Sequence, residues 1–201
     1  VSWNTLISGY IQQGQNDKAL SCYERIQNDC LCPDTVTFIC ILKACGSIGT
    51  IVKGKQFHSE IVRNGFLNKD TVLRNALVDM YAKFGMLEKA RHLVEGLSIR
   101  DIVAWNSLIG GYTQQGRCHE ALNTFKQLQR EGLIPDAVTF TCILKACSSL
   151  GAIESGKRIH KEVLKGHSHE NDLILGTTLI DMYAKCGILS KAHQVLEELS
   201  D

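Results

Sequence analysis

Short polar side chains recur at two fixed places along this 201-residue chain. An asparagine amide carries a donor and an acceptor, a threonine hydroxyl is shorter, and a carboxylate can orient a polar neighbour directly or through water. Such side chains can hydrogen-bond a polar ligand, but beside helix starts they are also ordinary caps and turn formers. The first set is Asn4, Ile39, Asn75, Asn106, Thr141 and Thr177, and the second is Asp34, Asp70, Asp101, Asp136 and Asp172.

A set of β-branched residues shares the same phase, three residues before each member of the first set. Branching at Cβ leaves few rotamers, so each of these side chains offers a stiff apolar wall at low entropy cost. The set is Val1, Val36, Val72, Val103, Val138 and Ile174.

Two histidines each precede a glutamate by two residues, which matches half of a zinc-deaminase signature. The other half needs a C-x-x-C pair, and the sequence contains none. Both matches fall at the same phase of a repeat, so structural recurrence explains them better than catalysis. The pairs are His58 with Glu60 and His160 with Glu162.

Nine cysteines are present, and several stand at helical spacing among apolar residues, which favours reduced thiols packed as small hydrophobes. Cys30 and Cys32 could be imagined as metal ligands with His58, but a later copy of the segment has Gly132 and Ile134 there. We therefore predict no metal site, no cofactor and no catalytic residue in this chain.

A long internal repeat organises all of these residues. The segment VSWNTLISGYIQQGQNDKAL recurs as VAWNSLIGGYTQQGRCHEAL at an offset of 102, without a gap. Roughly half of the aligned positions are identical, which is far beyond chance. The chain is therefore a tandem of two long units.

Each long unit divides into three shorter ones, with a helical apolar pattern, a glycine-containing break, a second helical pattern and an aspartate-terminated loop. No stretch alternates as a strand does. Hairpins of this kind bury their apolar faces by stacking, so we predict an all-α solenoid. Its predicted core includes Leu108, Ile109, Tyr112, Ala121, Leu122, Phe125 and Leu128.

The strings VAWNSLIGGYTQQG and LIDMYAKCG closely resemble pentatricopeptide repeats, and unit lengths of 35, 36 and 31 resemble the P, L and S motifs of the plant organelle subclass. The tetratricopeptide signature W-x2-L-G-x2-Y is absent. The resemblance implies a right-handed superhelix of stacked helical hairpins. It places P motifs at 1–34 and 102–136, L motifs at 35–70 and 137–172, and S motifs at 71–101 and 173–201, the first and last of the six truncated.

The resemblance also implies a function, which is the binding of single-stranded RNA at one base per repeat. In the family the two polar sets read the base edge, and the β-branched set sandwiches the base. Asparagine with aspartate then favours U, and threonine with aspartate favours G, so the implied target is U-N-U-U-G-purine. Ile39 cannot hydrogen-bond, and that unit is expected to be silent.

Proteins with P, L and S motifs mostly select sites for C-to-U RNA editing in mitochondria or chloroplasts. A deaminase domain usually follows the repeats, so this chain itself is not expected to be an enzyme. Two alternatives stay open: a protein-interaction scaffold, since L motifs in related proteins can bind editing partners, and an organellar RNA processing or stabilisation factor without editing.

Charge and hydropathy constrain the partners further. The formal net charge is +1, so contacts to bases rather than phosphates must carry much of any RNA specificity. No apolar run approaches the length of a membrane span and no signal peptide is visible, so no membrane partner is expected. Lysines that recur in pairs could line a phosphate path or form a solvated helix face; they are Lys43, Lys145, Lys55, Lys157, Lys83 and Lys185.

Overall fold

The computed structural model describes residues 3–67, 70–96, 101–165 and 173–199. Within these ranges the chain is built from twelve α-helices and has no strand. The helices are α1 Trp3–Gln12, α2 Asn16–Asn28, α3 Thr35–Ile48, α4 Ile51–Arg63, α5 Thr71–Lys83, α6 Leu87–Glu95, α7 Ile102–Gln114, α8 Cys118–Arg130, α9 Ala137–Leu150, α10 Ile153–Lys165, α11 Leu173–Lys185 and α12 Leu189–Glu198. The all-α prediction is confirmed.

Consecutive helices pack as hairpins, α1 with α2, α3 with α4, α5 with α6, α9 with α10 and α11 with α12. Each predicted unit contains two helices. Helices α8 to α11 begin and end 102 residues after α2 to α5, so the sequence repeat is also a repeat of structure. The assignment of hairpins to P, L and S motifs stays a prediction.

Aspartates at the ends of the units start the next first helices. Asp34, in extended backbone, caps α3 by accepting the N–H of Thr37, and Asp136 caps α9 by accepting the N–H of Thr139. Both sites form a full capping box, in which the threonine hydroxyl also accepts the N–H of the aspartate. Asp70 caps α5 in the simpler way.

Left-handed backbone ends several helices, and one such position is not glycine. Cys30 follows α2 with a φ of 53°, whereas the matching residue in the second copy is Gly132 with a φ of 76°. A side chain in this conformation costs about 1–2 kcal/mol. The first copy therefore carries local strain that the second copy avoids.

The chain forms two compact units, residues 1–108 and 109–201, with the division inside α7. In the first unit α3 packs against α1, α2, α4 and α5. Phe38, Ile41, Leu42 and Leu77 are fully buried, and the Tyr23 and Phe57 rings meet edge to face with centroids 4.9 Å apart. Helix α3 is thus the centre of this unit.

In the second unit α9 holds the corresponding place and packs against α8, α10 and α11. Ile143 and Leu144 on α9 and Met182 on α11 are fully buried. Gly156 on α10 lets the helices approach closely, because a Cβ there would lie 2.6 Å from the sulfur of Met182. Gly54 on α4 does the same in the first unit.

Most residues of the predicted core are buried as expected. The exception is Leu122, which is only half-buried, because it lies at the edge of the α8 stripe that Ala121, Phe125 and Leu128 bury.

Candidate nucleic-acid interface

Asn4 and Asp34 meet across the first hairpin. Nδ2 of Asn4, on α1, donates to both carboxylate oxygens of Asp34 at 3.0 Å. The hydroxyl of Thr37, in the first turn of α3, lies 2.7 Å from Oδ1 of Asn4 and 2.8 Å from Oδ1 of Asp34. Three side chains from successive units therefore form one polar cluster.

Asn75 and Asp101 form the corresponding contact in the third unit. Nδ2 of Asn75, on α5, donates to Oδ2 of Asp101 at 2.6 Å, and Oδ1 of Asp101 accepts the N–H of Val103 at 2.9 Å. Asn75 is only 7% exposed, and its Oδ1 is buried without a hydrogen-bond partner. The residue three places after Asp101 is Ala104, where the first cluster has Thr37.

These contacts fix the orientation of both amides. An ionised carboxylate can only accept, so the amide nitrogen must face the aspartate and the amide oxygen must face elsewhere. Each amide oxygen is therefore an acceptor held on a helix: that of Asn4 faces the hydroxyl of Thr37, and that of Asn75 is buried.

Asp34 stays ionised because its surroundings favour the charged form. Burial alone would raise the pKa of this carboxyl, but hydrogen bonds from the backbone and hydroxyl of Thr37, and from Asn4, outweigh it and lower the pKa below its usual range. Asp34 is therefore a permanent acceptor at neutral pH.

The second unit combines Ile39 with Asp70. Ile39 is half-buried on α3, and Asp70 accepts the N–H of Leu73 at 3.0 Å as the cap of α5. An isoleucine side chain has no hydrogen-bonding atom, so no polar pair forms at this position. Arg74 instead ties the loop to α5, with Nη2 donating to the carbonyl of Leu67 at 2.6 Å.

The remaining polar positions lie on first helices as predicted. Asn106 is half-buried on α7 and Thr141 is half-buried on α9. Thr177 is exposed on α11, and its hydroxyl donates to the carbonyl of Ile174 at 3.0 Å. Two predicted site residues, Val1 and Asp172, lie outside the described residues.

The five described members of the β-branched set are all exposed, although they are apolar. Apolar residues of the core would be buried, whereas these residues, which share one position in the repeat, lie on the surface. Their exposed fractions are 49% for Val36, 61% for Val72, 52% for Val103, 56% for Val138 and 69% for Ile174. Exposed apolar side chains at this phase therefore occur in both compact units, Val36, Val72 and Val103 in the first and Val138 and Ile174 in the second.

The histidines of the H-x-E matches join hairpins to each other. Nδ1 of His58 hydrogen-bonds with the hydroxyl of Tyr81 at 2.7 Å, and Nδ1 of His160 with that of Tyr183 at 2.9 Å. Glu60 accepts from Tyr23 at 2.8 Å. In the described part of the chain no group of three or more histidine, cysteine or acidic side chains could hold a metal ion.

The cysteines are free thiols. Cys45 and Cys147 are buried, Cys40 and Cys142 are half-buried, and burial raises the pKa of Cys147 to about 11. Cys30 and Cys32 are exposed in the loop after α2. Among the described residues no helix is long and apolar enough to cross a membrane.

Sequence reasoning missed the threonine of the first cluster. Thr37 and Thr139 stand at the same distance after a terminal aspartate in the two long copies. That recurrence was the available signal, but the contact to an asparagine 33 residues earlier appears only once hairpins stack.

Comparison with known proteins agrees with this architecture. The PPR repeat family matches residues 1–47 and 100–149, and the PPR repeat matches residues 72–98 and 177–201. Together these matches span well over half of the chain.

Relatives from Arabidopsis thaliana match along the whole chain. A putative pentatricopeptide repeat-containing protein is 35% identical over 100% of this chain and 28% of its own length. A pentatricopeptide repeat-containing protein named as chloroplastic is 32% identical over 100% of the chain and 32% of its own length. One named as mitochondrial is 37% identical over 100% of the chain and 19% of its own length. The chain thus spans a third or less of these relatives.

Among solved structures, the crystal structure of the pentatricopeptide repeat protein PPR10 from maize matches with a TM-score of 0.71 and 23% identity, over 98% of this chain and 29% of that one. At this identity the likeness speaks for the fold alone, and it supports the predicted class of stacked helical hairpins. From its repeats, its relatives and its fold, the chain belongs to the pentatricopeptide repeat family.

Proposed function

We propose that this chain binds single-stranded RNA and reads it at one base per repeat, as the target-recognition segment of an organellar C-to-U RNA-editing factor. The observation that carries the proposal is the asparagine–aspartate contact found in two units, 2.6 Å long in one and 3.0 Å in the other. Both contacts turn the amide nitrogen toward the aspartate, which leaves the amide oxygen as the atom that a base N–H would need.

Uracil matches this acceptor better than cytosine does. The N3–H of uracil can donate to the amide oxygen, whereas N3 of cytosine is itself an acceptor. The exposed β-branched residues supply the second requirement, an apolar surface on which an unstacked base can lie. Caps alone would explain the aspartates, but they would not explain exposed aliphatic residues at one phase.

The proposed register is U-N-U-U-G-purine, from residues 1–34 to residues 173–201. Ile39 leaves the second position unread. Binding is proposed without catalysis, and any deaminase would be a separate domain. A location in mitochondria or chloroplasts is proposed because relatives are named for both organelles.

The test is a titration of labelled single-stranded U-N-U-U-G-A RNA with the wild-type chain and with Asn106→Thr. The wild type should prefer this RNA over scrambled sequences. The variant should shift its preference toward G at the fourth base and at no other base, by roughly tenfold if one good hydrogen-bond pair, about 1–3 kcal/mol, is exchanged.

Asn123→Thr is the matched control, because Asn123 is exposed on α8, outside the reading positions, and should leave every preference unchanged. If wild type and variant both ignore base identity while circular dichroism shows them folded, base reading is wrong for this chain. The protein-interaction scaffold would then be the better account. Sequence preference without an effect on editing would favour the processing or stabilisation factor.

A further inference from the structure

The asparagine–aspartate pairs Asn4–Asp34 and Asn75–Asp101 differ in the hydrogen-bond partner of the amide oxygen. Oδ1 of Asn4 lies 2.7 Å from the hydroxyl of Thr37, whereas Oδ1 of Asn75 is buried and unpartnered. Ala104 stands three residues after Asp101, as Thr37 stands three residues after Asp34, and it has no hydroxyl to offer.

A hydroxyl at this position has two acceptors to choose from. The single proton of Thr37 can go to Oδ1 of Asn4, or to Oδ1 of Asp34 at 2.8 Å. When no base is present, the hydroxyl satisfies the amide oxygen. When a base donor arrives, the proton can turn to the carboxylate, and nothing is left unpaired.

The amide oxygen of Asn75 has no such hydroxyl partner. A buried acceptor without a partner carries its full desolvation cost. A base that donates to this oxygen removes the cost, and a base that cannot donate leaves it in place. The terminal torsion of asparagine is broad, so a modest turn of the amide can bring the oxygen toward a base, and the two hydrogens of Nδ2 still leave a donor for Asp101.

We propose that the residue three places after each terminal aspartate is a third, positioning determinant of base preference, with a hydroxyl relaxing the preference and its absence sharpening it. The proposal rests on the proposed RNA binding. It makes residues 71–101 a stricter uracil reader than residues 1–34. It also means that the unpartnered oxygen of Asn75, which sharpens the preference for uracil, lowers the free energy of unfolding.

The experiment adds or removes only the hydroxyl. Ala104→Thr supplies the hydroxyl to Asn75, and Ala104→Val adds the same bulk without it, so the difference between them isolates the polar group. Thr37→Val removes the hydroxyl beside Asn4 while keeping its shape. For each protein, Kd is measured for RNAs that carry U or C at the third base or at the first base, and Tm is recorded without RNA.

Ala104→Thr should lower the U-over-C ratio at the third base by about threefold to tenfold relative to Ala104→Val, and should have the higher Tm. A tenfold change corresponds to about 1.4 kcal/mol. Thr37→Val should raise the U-over-C ratio at the first base and lower Tm. The ratio at the base that is not targeted should stay the same in each case.

The inference would be overturned if the wild type prefers U at the third base but Ala104→Thr and Ala104→Val show equal U-over-C ratios there. The proposed function would still stand in that case. A wild type that binds U and C equally at every base would overturn both. Should Ala104→Thr and Ala104→Val both fail to fold, Thr37→Val still decides, since an unchanged first-base ratio contradicts the inference.

Discussion

At the scale of single residues, the terminal aspartate Asp34 combines two roles. Asp34 accepts the N–H of Thr37 at 2.8 Å as a helix cap, and it accepts both contacts from the Asn4 amide. A short acidic side chain suits both, because it is an N-cap with two oxygens to share. Helix capping and orientation of the Asn4 amide are therefore compatible in this one residue.

This dual role predicts the stability of two variants. Asp34→Ala should lower the free energy of unfolding by about 1 kcal/mol, because it leaves the first N–H groups of α3 without their cap. Asp34→Ser keeps a capping oxygen and should lose much less. Urea denaturation at pH 7.5 measures both, and equal losses for the two variants would show that the cap is not what the carboxylate contributes.

At the scale of helices, histidine–tyrosine pairs join α4 to α5 and α10 to α11, the first pair half-buried and the second buried. Burial, and then the charge of a nearby lysine, lower the pKa of His58 and His160 below the ordinary value of 6.5. A depressed pKa means that the folded chain holds fewer protons than the unfolded chain in that range. The contribution of each pair is thus complete above about pH 6.5 and declines as the pH falls below it.

The midpoint of urea unfolding should therefore be lower at pH 5 than at pH 7.5, and His160→Gln should show less of this decline. His160 faces Tyr183, with Lys191 opposing its protonation and Glu198 favouring it. The control is His193→Gln, since His193 is exposed and contacts Glu197 at 3.2 Å. A decline of the same size in wild type and His160→Gln would place the acid-sensitive group elsewhere.

The helices were also the part of the molecule that sequence could predict best. Apolar spacing, glycine breaks and terminal aspartates are local signals, and α3 and α9 begin directly after Asp34 and Asp136 as those signals require. The polar and β-branched positions followed from the repeat phase. The unpartnered oxygen of Asn75 did not, because the atoms around a buried amide come partly from residues distant in the sequence, which are brought near only when the hairpins pack.

At the scale of the whole molecule, charge sets how strongly the proposed RNA binding can depend on salt. The net charge is only +1, and part of the recurrent lysine set is already neutralised within its helices. Lys83 pairs with Asp79 at 2.8 Å, and Lys185 pairs with Asp181 at 2.9 Å. Lys43 and Lys145 are exposed, and they are the better candidates for phosphate contact.

Replacing Lys43 and Lys145 together by glutamine should flatten the salt dependence of RNA binding, because each lost phosphate contact removes about 0.7 from the slope of log K against log salt. Replacing Lys83 and Lys185 should have a smaller effect. The two double variants are compared by measuring binding at salt concentrations from about 50 to about 200 mM, where phosphate contacts make affinity depend steeply on salt. Identical slopes would contradict the division of the lysines into paired and available ones.

The agreement of helix bounds between the two long copies has a consequence for how such a gene can change. Two stretches of DNA that encode similar sequence 102 codons apart can recombine out of register. A crossover at aligned positions adds or removes a block of 102 residues, and each new junction keeps the phase of the repeat. Under the proposed function, one such recombination would lengthen or shorten the RNA sequence that the protein recognises by three nucleotides.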